Sequence, residues 1–282
     1  GPIIPPSVPF VLYGCTVGVS IAGLFLAGML PGILLGLTLM IVSYFISKKR
    51  NYPVTKVPIS FREFIISFKD TVLALVMPLI ILGGLLSGVF TPTEAAGVAV
   101  VYALIISLFV LRTLKFSDLP SIFVNSGITA SIVLMLISTA NIFGTILATQ
   151  QIPQRIAQIM LSVTTNPWMM LLLVNIFLLI AGMFMAESPN IILLGPILAP
   201  VVTGLGVHPL HFGFVMVLNL TIGLITPPLG ACLFILCGIS NLTLEELTKA
   251  ILPFLVAEIA ILFLCTYVPA IPMFLPKLLG FA

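Results

Sequence analysis

Charge is what this sequence has least of. Asp, Glu, Lys and Arg make up only 7% of its 282 residues, against 60% hydrophobic, and the mean hydropathy is +1.32. Soluble domains carry about 25% charged residues, so no water-soluble fold suits this chain. There is one tryptophan, and there are two histidines and four cysteines. Cys15, Cys232, Cys237 and Cys265 all stand in apolar segments, none at metal-ligand spacing to a histidine; they are expected as buried free thiols. A nucleophile–base–acid set, a Gly-rich phosphate loop and a nucleotide motif are also missing. A membrane-embedded enzyme is therefore disfavoured, and an ATP-driven pump would need its ATPase elsewhere. The small net charge of +3 argues no nucleic-acid role. The first residue is Gly rather than Met and no signal peptide is legible, so the chain reads as cropped or processed.

What is present is a series of apolar runs, each near the roughly 20 residues that cross about 30 Å of hydrocarbon as a helix. The alternation of outer-membrane strands is absent. The expected fold is an all-α integral membrane protein, a polytopic helical bundle forming one membrane domain over residues 1–282. Residues 1–47 read as a broken helix and the span after it, with 8–28 apolar and Gly-rich and a run at 29–46 that has Pro31 near its N-terminus. Residues 48–70 read as a cytoplasmic amphipathic segment. There Phe61, Phe64, Ile65 and Phe68 recur at helical spacing among Arg62, Glu63 and Lys69, which suits a helix on the membrane surface. Residues 71–148 hold three spans, at 72–90, 95–111 and 122–148. Thr91-Pro92-Thr93-Glu94 has the form of a helix start, and the third span carries a polar stripe of Asn125, Ser126, Thr129, Ser138, Asn141 and Thr145. Residues 149–205 read as an outer-surface helix bearing Arg155, then a re-entrant hairpin with arms 168–185 and 191–205. Its second arm, broken by Pro196 and Pro200, is too short to span comfortably, so the tip at 186–190 is expected near mid-membrane. Residues 206–282 hold a second broken helix (212–225, a break at 226–228, then 229–239), a surface helix at 243–250 and a last span at 251–269.

The two breaks match. Gly1-Pro2-Ile3-Ile4-Pro5-Pro6-Ser7 aligns with Gly223-Leu224-Ile225-Thr226-Pro227-Pro228-Leu229 at an offset of 222, and the register continues ungapped through Cys15 with Cys237 and Pro31 with Pro253. Gly/Pro interruptions at matching positions of two halves point to a transporter's binding site. With the 48–50 end in the cytoplasm, Lys48, Lys49, Arg50, Lys56, Arg62, Lys69, Arg112, Lys115 and Lys249 fall inside, and only Arg155 and Lys277 fall outside. The hairpin then enters from outside, and the two halves form an inverted repeat.

Proline has no N–H and clashes with the carbonyl four residues back. A Pro-Pro pair therefore frees backbone carbonyls, which together with the Ser7 or Thr226 hydroxyl suit Na⁺; the adjoining half-helix N-termini suit an anionic group. A structural kink is the plainer alternative. Glu187, an intramembrane carboxylate, suits a coupling cation, a proton, or a solvated cap in a wet cavity. Ser188 and Asn190 are stronger candidates as ligands or substrate contacts, because Pro189 between them is expected to keep the tip non-helical. Glu94 reads as a helix cap. Asn141 suits either substrate or a bond between helices, the commoner use. Glu258 is expected to pair with a neighbour, and His208 and His211 to face solvent. The residues alone specify a small polar or anionic solute.

Four strings carry a resemblance. They are the run from Gly1 through Tyr13-Gly14 to Pro31-Gly32; Gly83-Gly84-Leu85-Leu86-Ser87-Gly88-Val89-Phe90-Thr91-Pro92-Thr93-Glu94-Ala95-Ala96; Gly182-Met183-Phe184-Met185 with Pro196-Ile197; and His211-Phe212-Gly213 leading to Gly223 and Pro227-Pro228. Across essentially the whole chain they resemble the large permease subunit of TRAP (tripartite ATP-independent periplasmic) transporters. The resemblance implies a multi-pass, elevator-type secondary transporter of the bacterial inner membrane. It would import dicarboxylates, sialic acid or sugar acids, usually with Na⁺ and otherwise H⁺, with no cofactor. The implied partners are a small membrane subunit and a periplasmic substrate-binding protein. By the same resemblance Gly223, Thr226, Ser188 and Asn190 match a second cation site, and Gly1, Ile4 and Ser7 match a first. Ser7, Asn141, Glu187, Ser188, Asn190 and Thr226 are the expected substrate contacts. Two departures stand out. Family members carry a Ser- and Gly-rich hairpin before the first break, so this chain reads as the C-terminal two-thirds. Many relatives also place an Asp where Ala186 stands. A channel or uniporter is the alternative.

Overall fold

The computed structural model describes residues 1–52, 61–228, 230–240 and 242–282, and among them every regular element is helical. In chain order these are α1 (Val8–Val17), α2 (Ile21–Lys49), α3 (Phe61–Leu86), α4 (Pro92–Ile105), α5 (Leu119–Thr149), α6 (Ile152–Val163), α7 (Pro167–Phe184), α8 (Glu187–Gly204), α9 (Pro209–Gly223), α10 (Ala231–Ser240), α11 (Leu244–Tyr267) and α12 (Ala270–Leu278). Among the described residues, five helical stretches are long and apolar enough to cross a membrane. Large apolar side chains such as Phe45, Met135 and Val256 lie exposed on them, which a hydrocarbon solvent explains and water does not. The protein is an all-α polytopic membrane protein.

The chain forms two compact units, one of residues 1–46 and 136–282, the other of 47–135. The first is built around α9. From Leu210 to Gly223 every residue of α9 except Thr221 is buried, as expected of a helix apolar on all sides. Helices α1, α7, α8, α11 and α12 pack around it. The rings of Phe10 and Phe214 lie 6.4 Å apart, and those of Tyr13 and Phe212 meet edge-on at the same separation. Gly213 has no side chain because the Tyr13 ring and Leu24 occupy that space.

The repeat is visible in the elements. Shifted by 222, α1 starts at 230 and α2 at 243; α10 and α11 start at 231 and 244. The Pro5-Pro6 and Pro227-Pro228 peptide bonds are both cis.

Three boundaries differ from the sequence reading. The first span does not restart near Pro31, which lies inside the 29-residue α2. The chain turns earlier, at Gly18, whose φ of 78° is open to glycine without a Cβ penalty, and the N–H groups of Gly18 and Val19 both donate to Gly14 O. Residues 61–70 are not a separate surface helix, because α3 runs unbroken through 26 residues into the span; residues 53–60 of that segment lie outside the described residues. Likewise 243–250 is the first part of α11, started by a capping box in which Glu246 accepts from Thr243 N and Glu246 N donates back to Thr243 Oγ1.

In the second unit α3 packs on α4, with Leu85, Ala95 and Ala99 buried. Tyr102 Oη donates to Leu73 O at 2.8 Å. The helix start read at 91–94 is present: Glu94 carboxylate accepts from Thr91 N at 2.8 Å, so this acid is a cap. In the polar stripe of α5, Thr129 donates to Asn125 O within its own helix. The side chain of Asn141 lies outside the described residues.

Candidate functional site: the hairpin tip and the second break

Helices α7 and α8 form the expected hairpin, with a shorter turn than the sequence suggests. Only Met185 and Ala186 are non-helical. Ser188, Pro189 and Asn190 stand in the first turn of α8, which corrects the expectation that Pro189 holds them out of a helix. First-turn amides have no partner within the helix, so a proline there forfeits no bond. Asn190 is buried, and its Nδ2 donates to Ala181 O at 3.3 Å and Met185 O at 3.1 Å. One side chain at the start of α8 thus closes the end of α7. Asn190 Oδ1 and the half-buried Ser188 hydroxyl make no hydrogen bond among the described residues.

The hairpin tip is seated on the end of α9. Gly182 meets Gly223 and Leu220 backbone to backbone; a Cβ on Gly223 would stand 2.6 Å from Gly182 Cα. Thr221 Oγ1 shares its hydrogen between Val217 O at 2.8 Å and Glu187 Oε2 at 3.2 Å. Glu187 is thereby tied to the last turn before the break. There the N–H groups of Leu224, Ile225 and Thr226 fold back on the carbonyls of Thr221, Ile222 and Gly223 at 3.1–3.2 Å. Thr226 is buried, its Oγ1 donating to Ile222 O at 2.7 Å. The carbonyls of Thr226 and Leu224 converge on Gly230, where a Cβ would lie 2.9 and 3.0 Å from them. Each carbonyl accepts through two lone pairs, so those already accepting from turn N–H groups keep a further ligand position.

The structure therefore joins hairpin and break through Gly182 against Gly223 and Glu187 against Thr221; Ser188 and Asn190 follow Glu187 in the first turn of α8, and Thr226 follows Gly223 in the break. The residues at the first break engage their own segment. Gly1 O accepts from Ile4 N at 3.2 Å, and buried Ser7 caps α1 by accepting from Phe10 N at 3.4 Å. The Ile4 side chain is exposed over Gly32. Among the described residues no hydrogen bond joins Gly1, Ile4 or Ser7 to the hairpin.

Sequence reasoning passes over Thr221, a lone hydroxyl one turn before the break, and gives Gly182 no role of its own. It also misses a polar seam through the apolar core. Asn219 Nδ2 donates to Asn175 Oδ1 at 2.7 Å and Asn175 O at 3.0 Å, and Asn175 Nδ2 donates to Thr266 Oγ1 at 3.2 Å. All three residues are fully buried, and Asn219 Oδ1 has no hydrogen-bond partner among the described residues. A single amide amid each apolar run was the available signal.

Three other expectations are corrected. His211 is buried, not solvent-facing, with Nε2 2.9 Å from Cys265 O; His208 is exposed as expected and caps α9. Glu258 makes no ion pair or hydrogen bond among the described residues, because Leu255, Ile261 and Leu262 surround it on its helix face. The four thiols are free, but only Cys265 is buried, and Cys15 is exposed.

Known proteins align with this arrangement along nearly the whole chain. The isethionate TRAP transporter permease protein of Oleidesulfovibrio alaskensis is 44% identical over 97% of this chain and 43% of its own length. The C4-dicarboxylate TRAP transporter large permease protein of Pseudomonas aeruginosa is 42% identical, over 99% of the chain and 65% of its own length. The sialic acid TRAP transporter large permease protein of Vibrio cholerae is 41% identical with the same two coverages. The chain thus spans between two fifths and two thirds of these relatives, whose names are those of transport permeases and not of enzymes. The family model of the tripartite ATP-independent periplasmic transporter, DctM component, matches residues 1–271. Matched from its first residue to within eleven of its last, the chain belongs to the DctM component family of TRAP transporters.

Proposed function

We propose that the chain forms the core of a cation-coupled secondary transporter that brings small organic acids, carboxylates foremost, across the bacterial inner membrane. Na⁺ is the coupling ion. A periplasmic binding protein delivers the substrate, and a small membrane subunit completes the permease. The observation that carries this reading is the seating of the hairpin tip on the second break, through Gly182 against Gly223 and Thr221 against Glu187. Two half-helix ends and a helical tip there supply oxygens without covalent machinery, as discontinuous helices do at ion and substrate sites. Ser188 Oγ, Asn190 Oδ1, the Thr226 hydroxyl and the carbonyl of Gly223 are the oxygens offered to the cation. Gly1, Ile4 and Ser7 supply half of the equivalent first site. The organic anion lies beside them, against Ser7, Asn141, Ser188, Asn190 and Thr226, with Glu187 setting the local charge. The printed names of the relatives support an acidic substrate: isethionate, C4-dicarboxylate and sialic acid are all organic anions.

Uptake into vesicles reconstituted with the permease, its small subunit and the binding protein tests the reading. Ser188→Ala and Thr226→Ala should each raise the Na⁺ concentration needed for half-maximal uptake by about tenfold, the loss of one oxygen from a charged centre. Unaltered Na⁺ dependence in both variants would remove the cation from this site. Uptake that needs neither an ion gradient nor the binding protein would make the protein a uniporter or channel.

A further inference from the structure

A second cavity lies far from the break, at the end of the first unit where α7 and α9 begin, the end that the charge count assigns to the outer face. Its volume is about 310 Å³. The start of α7 contributes Trp168 and Leu171, the α8–α9 connection contributes His208, and the α11–α12 region contributes Met273 and Lys277. The 15 residues of α9 separate it from Gly223, a rise of about 22 Å.

The chemistry of the lining is one-sided. No Asp or Glu lines the cavity, while Lys277, His208 and Trp168 do. His208 Nδ1 accepts from Leu210 N at 3.2 Å, so in the neutral ring Nε2 carries the hydrogen and is a donor. His211 cannot help in this way through Nε2, which already faces Cys265 O. Burial first, and the Lys277 charge second, hold the His208 imidazole below its ordinary pKa. The remaining donors are the Lys277 ammonium, His208 Nε2–H and the Trp168 indole N–H, above an apolar floor that includes Leu171 and Met273. Trp168 stands at the start of α7 and Tyr267 at the end of α11, both helices long and apolar enough to cross a membrane. Their rings lie 5.7 Å apart and Tyr267 Oη donates to Trp168 O at 3.3 Å. Amphipathic aromatic rings at span ends mark the level of the lipid headgroups.

We propose that this cavity is a binding site for an anionic oxygen group, a phosphate ester or a free oxyanion, held by Lys277, His208 and Trp168. Three donors with no carboxylate among the lining side chains suit an anion, and the apolar floor accommodates the carbon attached to the group. The site lies at the opposite end of the hairpin from its tip, away from the break, and its occupancy does not require transport.

Trp168 is the only tryptophan in the chain, so its fluorescence reports on the cavity, with Trp168→Phe as the blank. Delipidated protein in neutral detergent would be titrated in two arms. The first uses sodium phosphate against sodium chloride at equal ionic strength. The second compares phosphatidylglycerol with phosphatidylcholine, both brominated on their acyl chains as quenchers. A phosphate-dependent change in emission identifies a free oxyanion as ligand. Quenching by phosphatidylglycerol at lower concentration than by phosphatidylcholine, without a phosphate response, identifies a lipid headgroup. In either case Lys277→Gln should weaken the response about fivefold, the worth of one lysine near an anionic surface, and Lys277→Arg should retain it. Lys277 is exposed, so neither change disturbs packing. The proposal is overturned if phosphate leaves the emission unchanged while the two lipids quench alike, or if Lys277→Gln responds as the unaltered protein does.

Discussion

Transport should fall at least tenfold when Gly223 is replaced by alanine, the order of loss expected when a preorganised site is displaced by about 1 Å. The added Cβ would stand 2.6 Å from both Cα and C of Gly182 and 2.8 Å from its O. Carbon atoms settle at about 3.5–4.0 Å. Every clashing atom is backbone, so no rotamer change relieves it, and the hairpin must back away from α9. Overpacking of this kind destabilises by about 1–3 kcal/mol. The larger consequence is geometric, because the same displacement moves the hairpin tip, with Ser188 and Asn190, relative to the break. Gly182→Ala meets the same interface more gently, its nearest atom being Gly223 Cα at 3.1 Å. Vesicle uptake should therefore rank the unaltered protein above Gly182→Ala and Gly182→Ala above Gly223→Ala. A Gly223→Ala protein with normal uptake and normal Na⁺ dependence would show that the tip and the break do not act as one site.

The second large effect lies in the core. Asn175→Ala should lower the melting temperature in detergent by roughly 5–10 °C, corresponding to about 2–4 kcal/mol. Asn175 is the middle of the seam, accepting twice from Asn219 and donating to Thr266. Its loss takes the Oδ1 acceptor from the Asn219 amide, which keeps only the Asn175 backbone carbonyl, and Asn219 Oδ1 already has no partner among the described residues. Leaving one partner buried and unsatisfied is worse than removing both. The Asn175→Leu, Asn219→Leu pair should therefore melt closer to the unaltered protein than Asn175→Ala does. Exact additivity of the single changes Asn175→Ala and Asn219→Ala would deny the coupling that the geometry requires.

The contrast between these two sites shows what was legible in the sequence. Both breaks, the hairpin and the cap at Thr91 announce themselves through residues whose meaning is local: proline removes a donor, glycine admits a left-handed turn, and a hydroxyl three residues before an acid starts a helix. The 222-residue register could be read for the same reason, and the helices follow it. Proline also misled. Pro31 and Pro189 suggested interruptions, yet one is absorbed within α2 and the other sits where a helix has no bond to lose. The burial of His211, the isolation of Glu258 and the Asn175–Asn219–Thr266 seam were illegible, because each depends on which faces of α7, α9 and α11 meet. In an almost wholly apolar chain, periodicity does not mark those faces. The candidate site was legible in its residue types. The direct backbone contact between Gly182 and Gly223 was not.

Asn190 has a consequence for how the protein is made. The last carbonyls of any helix lack partners, and in hydrocarbon each such group costs several kcal/mol. The Asn190 amide gives a partner to Met185 O, just past the end of α7, and a second one to Ala181 O, which already accepts from Met185 N, all from within the hairpin itself. All of the groups concerned lie between residues 167 and 204, upstream of α9. Much of the turn's demand for hydrogen bonds is therefore met before the ribosome has produced the helix on which the hairpin comes to rest. The nascent hairpin can enter the bilayer as a finished piece and wait there for its seat.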